Sequence, residues 1–320
     1  GCLLLGLGLL WRMNGSFSLR AAAVPVQGFL PTTAFLLMML AAFAKAGAMP
    51  VHSWIPAASD EAPASVMALL PAAIDKLLGI YLLARLATEI FALNQAMSLL
   101  LMSIGAVTIL AAVLLAMVQH NLRRLLAYHA VSQVGYMVLG IGTLTPIGLA
   151  GALFHMLNNS IYKNCLFLCA GAVEKKTGTM ELADLGGLAK SMPATFTACL
   201  IASLAISGVP PLSGFVSKWF VYQGIIETGS RLSFIFLIAA MFGSALTLAS
   251  FVKVLYSLFL GAPTVHTAGV KGEVSAVMLV PMLLLALLCL GFGVYYPFPV
   301  SAFLAPALAS RFSPPGVWSS

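Results

Sequence analysis

The chain has 320 residues, of which 61% are hydrophobic and 8% are charged, and its mean hydropathy is +1.03. Soluble domains carry about 25% charged residues, so this composition excludes a water-soluble globular protein. The formal net charge of +7 is attributed to membrane topology and contact with anionic lipid rather than to nucleic-acid binding.

The N-terminal stretch GCLLLGLGLLWR (1–12) has the composition of the end of a membrane-spanning helix. A signal peptide would carry positive charge before its apolar run and a small-residue cleavage site after it. A polar link follows, to about residue 27. We therefore expect the chain to be a fragment that lacks an N-terminal part.

Apolar runs of membrane-spanning length recur along the rest of the chain, and a helix needs about 20 apolar residues to cross the hydrocarbon core. They predict an all-α polytopic membrane protein, because the short alternating segments of a membrane barrel are absent. A last apolar stretch, 296–309, contains prolines and is predicted to lie at the membrane surface. The predicted helices cover residues 31–48, 64–88, 96–118, 123–142, 146–173, 194–225, 233–260 and 274–293.

Two of these segments are predicted to be broken helices. In the first, Gly47 and Pro50 follow Lys45 within five residues. The segment 194–225 is too long for a simple crossing, and proline removes a backbone donor. Broken backbone at membrane depth lines protein-enclosed cavities, so we expect each break to free groups that bind ions or water. The second break consists of Gly208, Pro210, Pro211 and Gly214.

The loops at 119–124, 174–192 and 261–273 fall on one side if the helices alternate. Their basic residues are Arg123, Arg124, Lys175, Lys176, Lys190 and Lys271. The positive-inside rule assigns this side to the cytoplasm, which predicts a multi-pass protein of the inner (plasma) membrane. His120 and His129 flank the arginine pair and are interpreted as ordinary histidines near this surface, with a role in lining a cytoplasmic path as the alternative.

Four lysines lie inside the apolar segments or at their breaks: Lys45, Lys76, Lys163 and Lys218. A charged side chain at the centre of a spanning helix costs about 2.5–3.5 kcal/mol on insertion scales. A single lysine near an interface can extend its ammonium group to water. Four in successive segments favour a buried functional role, and we expect them to belong to an ion or proton path.

Two local patterns support such a path. His155, Asn159 and Lys163 are spaced i, i+4, i+8, which makes a polar stripe about 12 Å long on a helix. It suits a water-supported proton relay, with polar contacts between helices as the alternative. Asp75 and Lys76 point about 100° apart, so we expect each to pair across helices, for example Asp75 with a lysine elsewhere. A lysine whose carboxylate partner comes and goes is a switchable proton site, and a permanent structural ion pair is the alternative.

The sequence carries no recognisable cofactor site. The five cysteines lie in or beside apolar segments without a CxxC pair, so we interpret them as small hydrophobic residues. No phosphate-binding loop, dinucleotide fingerprint, haem motif or iron–sulfur pattern occurs. We expect no cofactor or metal in this chain and no redox chemistry of its own.

Four stretches resemble the antiporter-like subunits of respiratory complex I, Mrp-type cation/proton antiporters and membrane-bound hydrogenases. They are AFAKAGAMPVHSWIPAASDEAPASVMALL, QHNLRRLLAYHAVSQVGYMVLG, HMLNNSIYKNCLFLCAG and ISGVPPLSGFVSKWF. The resemblance covers about residues 30–260 and implies two inverted five-helix repeats, each with one broken helix. It implies the end of the first repeat at 1–95, a second five-helix repeat at 96–260, and a C-terminal helix and tail at 261–320.

The resemblance also implies roles for single residues. Lys45 is similar to the lysine of the family's first broken helix, Lys163 to its central lysine, and Lys218 to the charged residue of the second broken helix. Lys76 resembles the lysine of the helix after the first break. His155 and Asn159 fall where members often carry histidine. The family pairs its first lysine with a glutamate on an earlier helix that this chain lacks, and Asp75 matches no family position.

The leading hypothesis is a proton-translocating subunit of a complex I-related or hydrogenase-related respiratory complex, driven by electron transfer in partner subunits. The second is Mrp-type cation/proton antiport, with Na⁺ as the coupling ion. A structural membrane subunit that has lost transport is the third. The expected partners are other membrane subunits, protons or Na⁺, and the lipid bilayer, without nucleic acid. An activity such as NADH:quinone oxidation or hydrogenase chemistry would belong to the complex rather than to this chain.

Overall fold

The computed structural model describes residues 1–16 and 23–308, and these residues are mostly helical. The first six helices are α1 (Cys2–Asn14), α2 (Phe29–Ala46), α3 (Trp54–Glu61), α4 (Ala64–Ile90), α5 (Gln95–Met117) and α6 (Leu122–Gly142). The next six are α7 (Pro146–Thr177), α8 (Pro193–Ser207), α9 (Ser213–Glu227), α10 (Ser233–Leu260), α11 (Ala276–Val294) and α12 (Pro297–Leu308). Two strands of two residues each, β1 (Val24–Pro25) and β2 (Phe91–Ala92), pair in parallel and were not predicted.

Six of these helices are long and apolar enough to cross a membrane: α2, α4, α5, α6, α10 and α11. The predicted all-α, multi-pass membrane fold is therefore confirmed. The helix α7 has 32 residues, which corresponds to about 48 Å, and carries Lys163 near its middle. The inverted repeats and the boundaries at 95/96 and 260/261 stay predictions.

Helix ends occur at both predicted breaks. The helix α2 ends one residue before Gly47, which has a φ of 80°, and α8 ends one residue before Gly208, which has a φ of 82°. Glycine adopts this left-handed conformation without a steric penalty. A side chain at Gly214 would collide with the carbonyl group of Ala205, so the start of α9 crosses the end of α8 at backbone contact. The segment predicted at 194–225 is thus two helices, α8 and α9.

The three basic loops lie together at one end of the helices. The amide of Leu122 donates to the carbonyl of Met180 at 2.9 Å, which joins the link before α6 to the loop after α7. The Lys176 ammonium group donates to the carbonyl of Lys271 at 3.2 Å, which joins the loops after α7 and α10. Arg123 also pairs with Glu174 at this end. This arrangement agrees with the common side that the charge pattern predicts.

The helices α5 and α6 form a tight antiparallel pair. A Cβ atom at Gly135 would lie 2.7 Å from the carbonyl oxygen of Gly105, and one at Gly105 would lie 2.6 Å from the amide nitrogen of Leu139. Small residues at a crossing let two membrane helices approach to backbone contact. This contact sets the distance between α6 and α5 and keeps α6 in the interior, where it is buried along almost its whole length.

We expect Gly135→Leu to lower the free energy of unfolding by about 1–3 kcal/mol, because overpacking forces a tight contact apart. The midpoint of thermal unfolding of the purified membrane complex measures the effect. Gly291→Leu is the matched control, since Gly291 lies in the spanning helix α11 and a Cβ atom there would meet nothing within 4 Å. An equal loss of stability in both variants would contradict the close crossing at Gly135.

Candidate proton-translocation site

The buried lysines gather around α6. Lys76 on α4 donates a hydrogen bond from Nζ to the backbone carbonyl of Ala130. Lys163 on α7 donates from Nζ to the carbonyl of Leu126 at 2.8 Å. These two acceptors lie four residues apart on α6, which is about 6 Å along the helix axis. The helix therefore brings the two amino groups close together in the protein interior.

Three of the predicted lysines are buried without a carboxylate partner. The exposed fractions of Lys76, Lys163 and Lys218 are 1%, 0% and 2%. Within residues 1–16 and 23–308, the ion pairs involve other basic residues. An ammonium group removed from water without a counter-ion is held at a cost of several kcal/mol. Such a lysine can exchange its proton with water-linked neighbours, which a permanently paired lysine does less readily.

His155 connects three helices through its ring. Its Nε2 lies 3.1 Å from Oε1 of Gln133 on α6, and its Nδ1 lies 2.9 Å from the hydroxyl of Ser217 on α9. The Tyr162 hydroxyl lies 3.3 Å from the same Nε2. An imidazole bonded at both nitrogens can accept a proton on one side and release one on the other. His155 thus joins Gln133 on α6 to Ser217 on α9, and Ser217 directly precedes Lys218 in the chain.

Lys218 binds the end of the broken helix. Its Nζ donates to the carbonyls of Ile206 at 2.9 Å and Ser207 at 3.4 Å, the last two residues of α8. It also lies 4.6 Å from the ring centroid of Tyr136. The last carbonyls of a helix have no partner within it and carry partial negative charge. At the second break, the freed carbonyls therefore hold the amino group of Lys218 in place of a carboxylate.

Asn159 reaches a different helix from its neighbours on the stripe. Its Nδ2 donates to the carbonyl of Ala72 at 3.2 Å, within a π-helical turn of α4 at Leu70–Ile74. The side chains of His155, Asn159 and Lys163 are all buried, and within the described residues none of the three hydrogen-bonds to another of them. A proton moving along this stripe therefore needs intervening water.

Several buried polar atoms along α6, α7 and α9 lack a hydrogen-bond partner in the described part of the chain. They include His129 Nδ1, Gln133 Nε2, Asn158 Oδ1, Asn159 Oδ1 and Ser213 Oγ. Polar atoms buried in this way are usually satisfied by ordered water, since leaving each one unbonded costs about 1–3 kcal/mol. Gln133 contacts His155 and the other residues lie on the same three helices, which marks the interior where water can bridge the stripe.

Lys45 departs from the expectation of a buried ammonium group. Its side chain is 51% exposed in this chain and pairs with Asp75, which is 15% exposed. At the first break, the carbonyl of Ala44 in the last turn of α2 accepts a hydrogen bond from the Trp54 indole at 2.9 Å. The prediction that Lys45 is buried is wrong, because hydropathy gives depth along a helix and not the face that a residue occupies. Asp75 points to α2 while Lys76 points to α6, as their 100° separation suggested.

The Lys45–Asp75 pair gives a stability prediction. In a double-mutant cycle with Lys45→Met and Asp75→Asn, we expect a coupling free energy of about 1 kcal/mol, because one partner is largely buried and the other is exposed. Thermal unfolding of the four proteins measures it. The more exposed Arg124–Asp60 pair, at 3.2 Å, serves as the control and should couple less. Additive effects of Lys45→Met and Asp75→Asn would contradict the pairing.

Sequence reasoning missed the contribution of α6. Gln133 and Tyr136 contact His155 and Lys218, and both are fully buried. Together with His129 they are spaced i, i+4, i+7, which places them on one face of a helix. This spacing was readable in the sequence. The carbonyl acceptors on α6 were not, since every residue carries a carbonyl group.

Comparison with known proteins identifies the family of this chain. Residues 1–247 match the family model described as NADH:quinone oxidoreductase/Mrp antiporter, TM. Hydrogenase-4 component B of Escherichia coli (strain K12) is 37% identical over 304 residues, covering 88% of this chain and 45% of that protein. Formate hydrogenlyase subunit 3 of the same strain is 32% identical over 320 residues, covering 93% and 52%. This chain thus spans about half the length of these curated relatives.

Solved structures share the fold. A chain of the Mrp complex from Dietzia sp. DQ12-45-1b superposes with a TM-score of 0.88 at 26% identity, covering 98% of this chain and 66% of that one. A chain of respiratory complex I from Thermus thermophilus with bound NADH gives 0.85 at 26% identity, with the same coverage. The resemblance found in the sequence motifs is confirmed. The chain is an antiporter-like, multi-pass subunit of the plasma membrane and belongs to the NADH:quinone oxidoreductase/Mrp antiporter transmembrane family.

Proposed function

We propose that this chain translocates protons as the antiporter-like subunit of a complex I-related or hydrogenase-related respiratory complex. The observation that carries the proposal is the burial of Lys76, Lys163 and Lys218 with backbone carbonyls, and no carboxylate among the described residues, as their partners. A fixed structural charge would be better stabilised by a carboxylate. Lysines held in this way suit repeated gain and loss of a proton.

The proposed path runs along α7 and ends at α9. A proton reaches Lys163 from the side of the basic loops and passes through water beside Asn159 to His155. From there the Ser217 hydroxyl leads to Lys218, which is held by the broken end of α8. The acceptor of Lys76, the carbonyl of Ala130, lies one turn along α6 from the acceptor of Lys163. Lys76 and the Lys45–Asp75 pair would link this path to a second proton path beside it.

The energy for transport must come from outside this chain. Moving one charge across the membrane costs about 2.3 kcal/mol per 100 mV. The similarity to hydrogenase-4 component B and formate hydrogenlyase subunit 3 favours partner subunits that transfer electrons. Electron transfer in those partner subunits would change the charge near one lysine of this chain. That change would favour release of the proton bound to the next lysine.

Cation/proton antiport of the Mrp type is the second candidate, supported by the superposition on a chain of the Mrp complex. The two candidates differ in the ion that crosses in exchange. The proposed axis offers amines, imidazole and amides, whereas a hard cation such as Na⁺ prefers oxygen ligands. We therefore favour protons as the transported species on this axis.

One reconstitution tests both candidates. The purified complex containing this chain is placed in liposomes, and internal acidification is followed with a pH-sensitive dye during electron transfer. We expect acidification without Na⁺ and a loss of at least about tenfold in Lys218→Met, with electron transfer retained in the presence of an uncoupler. Acidification that requires a Na⁺ gradient would favour the Mrp-type activity. Unchanged acidification in Lys218→Met would contradict the proposed path.

A further inference from the structure

His129 is a buried histidine that the path above does not use. It is fully buried on α6, about one turn after Leu126, whose carbonyl binds Lys163. Its ring centroid lies 4.7 Å from that of Phe251 on α10, and Nζ of Lys163 lies 5.9 Å from the same phenyl ring. His129 and Lys163 therefore both lie beside one aromatic side chain.

The two ring nitrogens of His129 have different surroundings. Its Nε2 lies 2.7 Å from the hydroxyl of Ser250 on α10. Its Nδ1 is buried and has no hydrogen-bond partner within the described ranges. A histidine that only joined two helices would be expected to have both nitrogens satisfied, because an unpaired buried nitrogen is costly. An imidazole that passes protons needs one nitrogen bonded on each side, and the free Nδ1 provides the second position.

Polar side chains on α10 are spaced from His129 toward the end of the molecule with the basic loops. Lys253 lies one turn after Ser250 on α10 and is half-buried. Its Nζ donates to the carbonyls of Met117 and Gln119, each at 3.1 Å. These carbonyls lie at the end of α5 and in the link before α6. Lys253, Ser250 and His129 thus form a series from that surface toward Lys163.

The geometry points to His129 as a proton-binding site that supplies Lys163, an inference that rests on the proposed proton-translocating function. A proton arriving through the Ser250 hydroxyl binds Nε2, and the proton on Nδ1 passes through water to the neutral amine of Lys163. The imidazole is left neutral with its proton on Nε2, and transfer of that proton back to Nδ1 through water restores the starting tautomer. No electron moves, and the bonds formed and broken are N–H and O–H bonds.

Charge gives this step a direction. His129 and Lys163 lie beside the same phenyl ring of Phe251, so a charge on one lies near the other. Because like charges repel, His129 takes up a proton more easily after Lys163 has passed its own proton on. The histidine then refills Lys163 from the side of the basic loops and does not compete with it for the same proton.

The test compares replacements of His129 that differ in whether they carry a proton. Glutamine keeps a hydrogen bond to Ser250 but does not titrate, whereas glutamate titrates. In the reconstituted complex, we expect His129→Gln to slow proton translocation at least about tenfold and His129→Glu to retain about threefold more of it than His129→Gln. His120→Gln is the control, because His120 is an exposed histidine on the adjoining link. Ser250→Ala, which removes the partner of Nε2 while leaving the histidine, should slow translocation about threefold.

The outcomes separate this inference from the proposed function. Wild-type translocation in His129→Gln, or a Gln variant that works as well as the Glu variant, overturns the role of His129. If His129→Glu does not assemble, wild-type translocation in Ser250→Ala overturns it in the same way. Lys163→Met is measured alongside. If Lys163→Met does not translocate protons while His129→Gln does so at the wild-type rate, the proposed site at His129 is overturned and the proposed function is retained. Normal translocation in Lys163→Met overturns both.

Discussion

Lys163→Met is expected to reduce proton translocation by at least about 100-fold while electron transfer continues in the presence of an uncoupler. Methionine matches the volume of the lysine stem but cannot carry a proton. Lys163 is fully buried in the middle of α7, and its ammonium group faces the carbonyl of Leu126. The ratio of protons translocated to electrons transferred in proteoliposomes measures the effect.

Two companion variants sharpen this prediction. Lys163→Arg keeps a positive charge, but arginine does not release its proton in proteins, so we expect it to be as inactive as methionine. Lys190→Met removes an exposed lysine of the loop 178–192 and should leave the ratio unchanged. Restored translocation in Lys163→Arg would mean that a fixed charge is sufficient, which contradicts proton exchange at Lys163.

Gln133→Leu is expected to reduce proton translocation at least about tenfold, although glutamine itself does not titrate. The side-chain oxygen of Gln133 lies 3.1 Å from Nε2 of His155 and 3.4 Å from the Tyr162 hydroxyl. Leucine would remove this partner and leave a buried imidazole free to turn away from α6. Gln133 is therefore a positioning residue, and the same proton-to-electron ratio measures its loss.

The controls for Gln133 separate positioning from packing. Gln133→Glu keeps an oxygen for His155 and Tyr162, so we expect it to retain more translocation than Gln133→Leu. Gln95→Leu makes the same substitution at an exposed site at the start of α5 and should be neutral. If Gln133→Glu and Gln133→Leu lose activity equally while both complexes unfold at the wild-type temperature, the contact with His155 is not what matters.

Much of the fold followed from the sequence because its signals are local. Hydropathy located the spanning helices, and glycine and proline located the helix ends next to Gly47 and Gly208. The rarity of charge in apolar segments identified Lys76, Lys163 and Lys218, which are all buried. These inferences depend on the cost of single residues in a membrane, which does not require knowledge of how helices pack.

What the sequence did not predict depends on tertiary contacts. Lys45 lies in the apolar stretch AAFAKAGAM, yet its side chain lies on the exposed face of α2 beside Asp75. The pairing of β1 with β2 joins two distant loops. His129 follows two arginines, which suggested a position near the membrane surface, but packing against α10 buries it completely. Each error concerns which neighbour a residue meets, and a single sequence carries little information on that.

The central claim is that Lys163 and Lys218 act in series on one path, and the double variant tests it most directly. Proton-to-electron ratios are measured for Lys163→Met, Lys218→Met and Lys163→Met/Lys218→Met in the same liposomes. If one path contains both residues, the proton-to-electron ratio of the double variant should lie within about twofold of that of the worse single variant. The reason is that either substitution alone already stops translocation through the shared path. Losses that multiply in the double variant, or wild-type translocation in either single variant, would contradict the account.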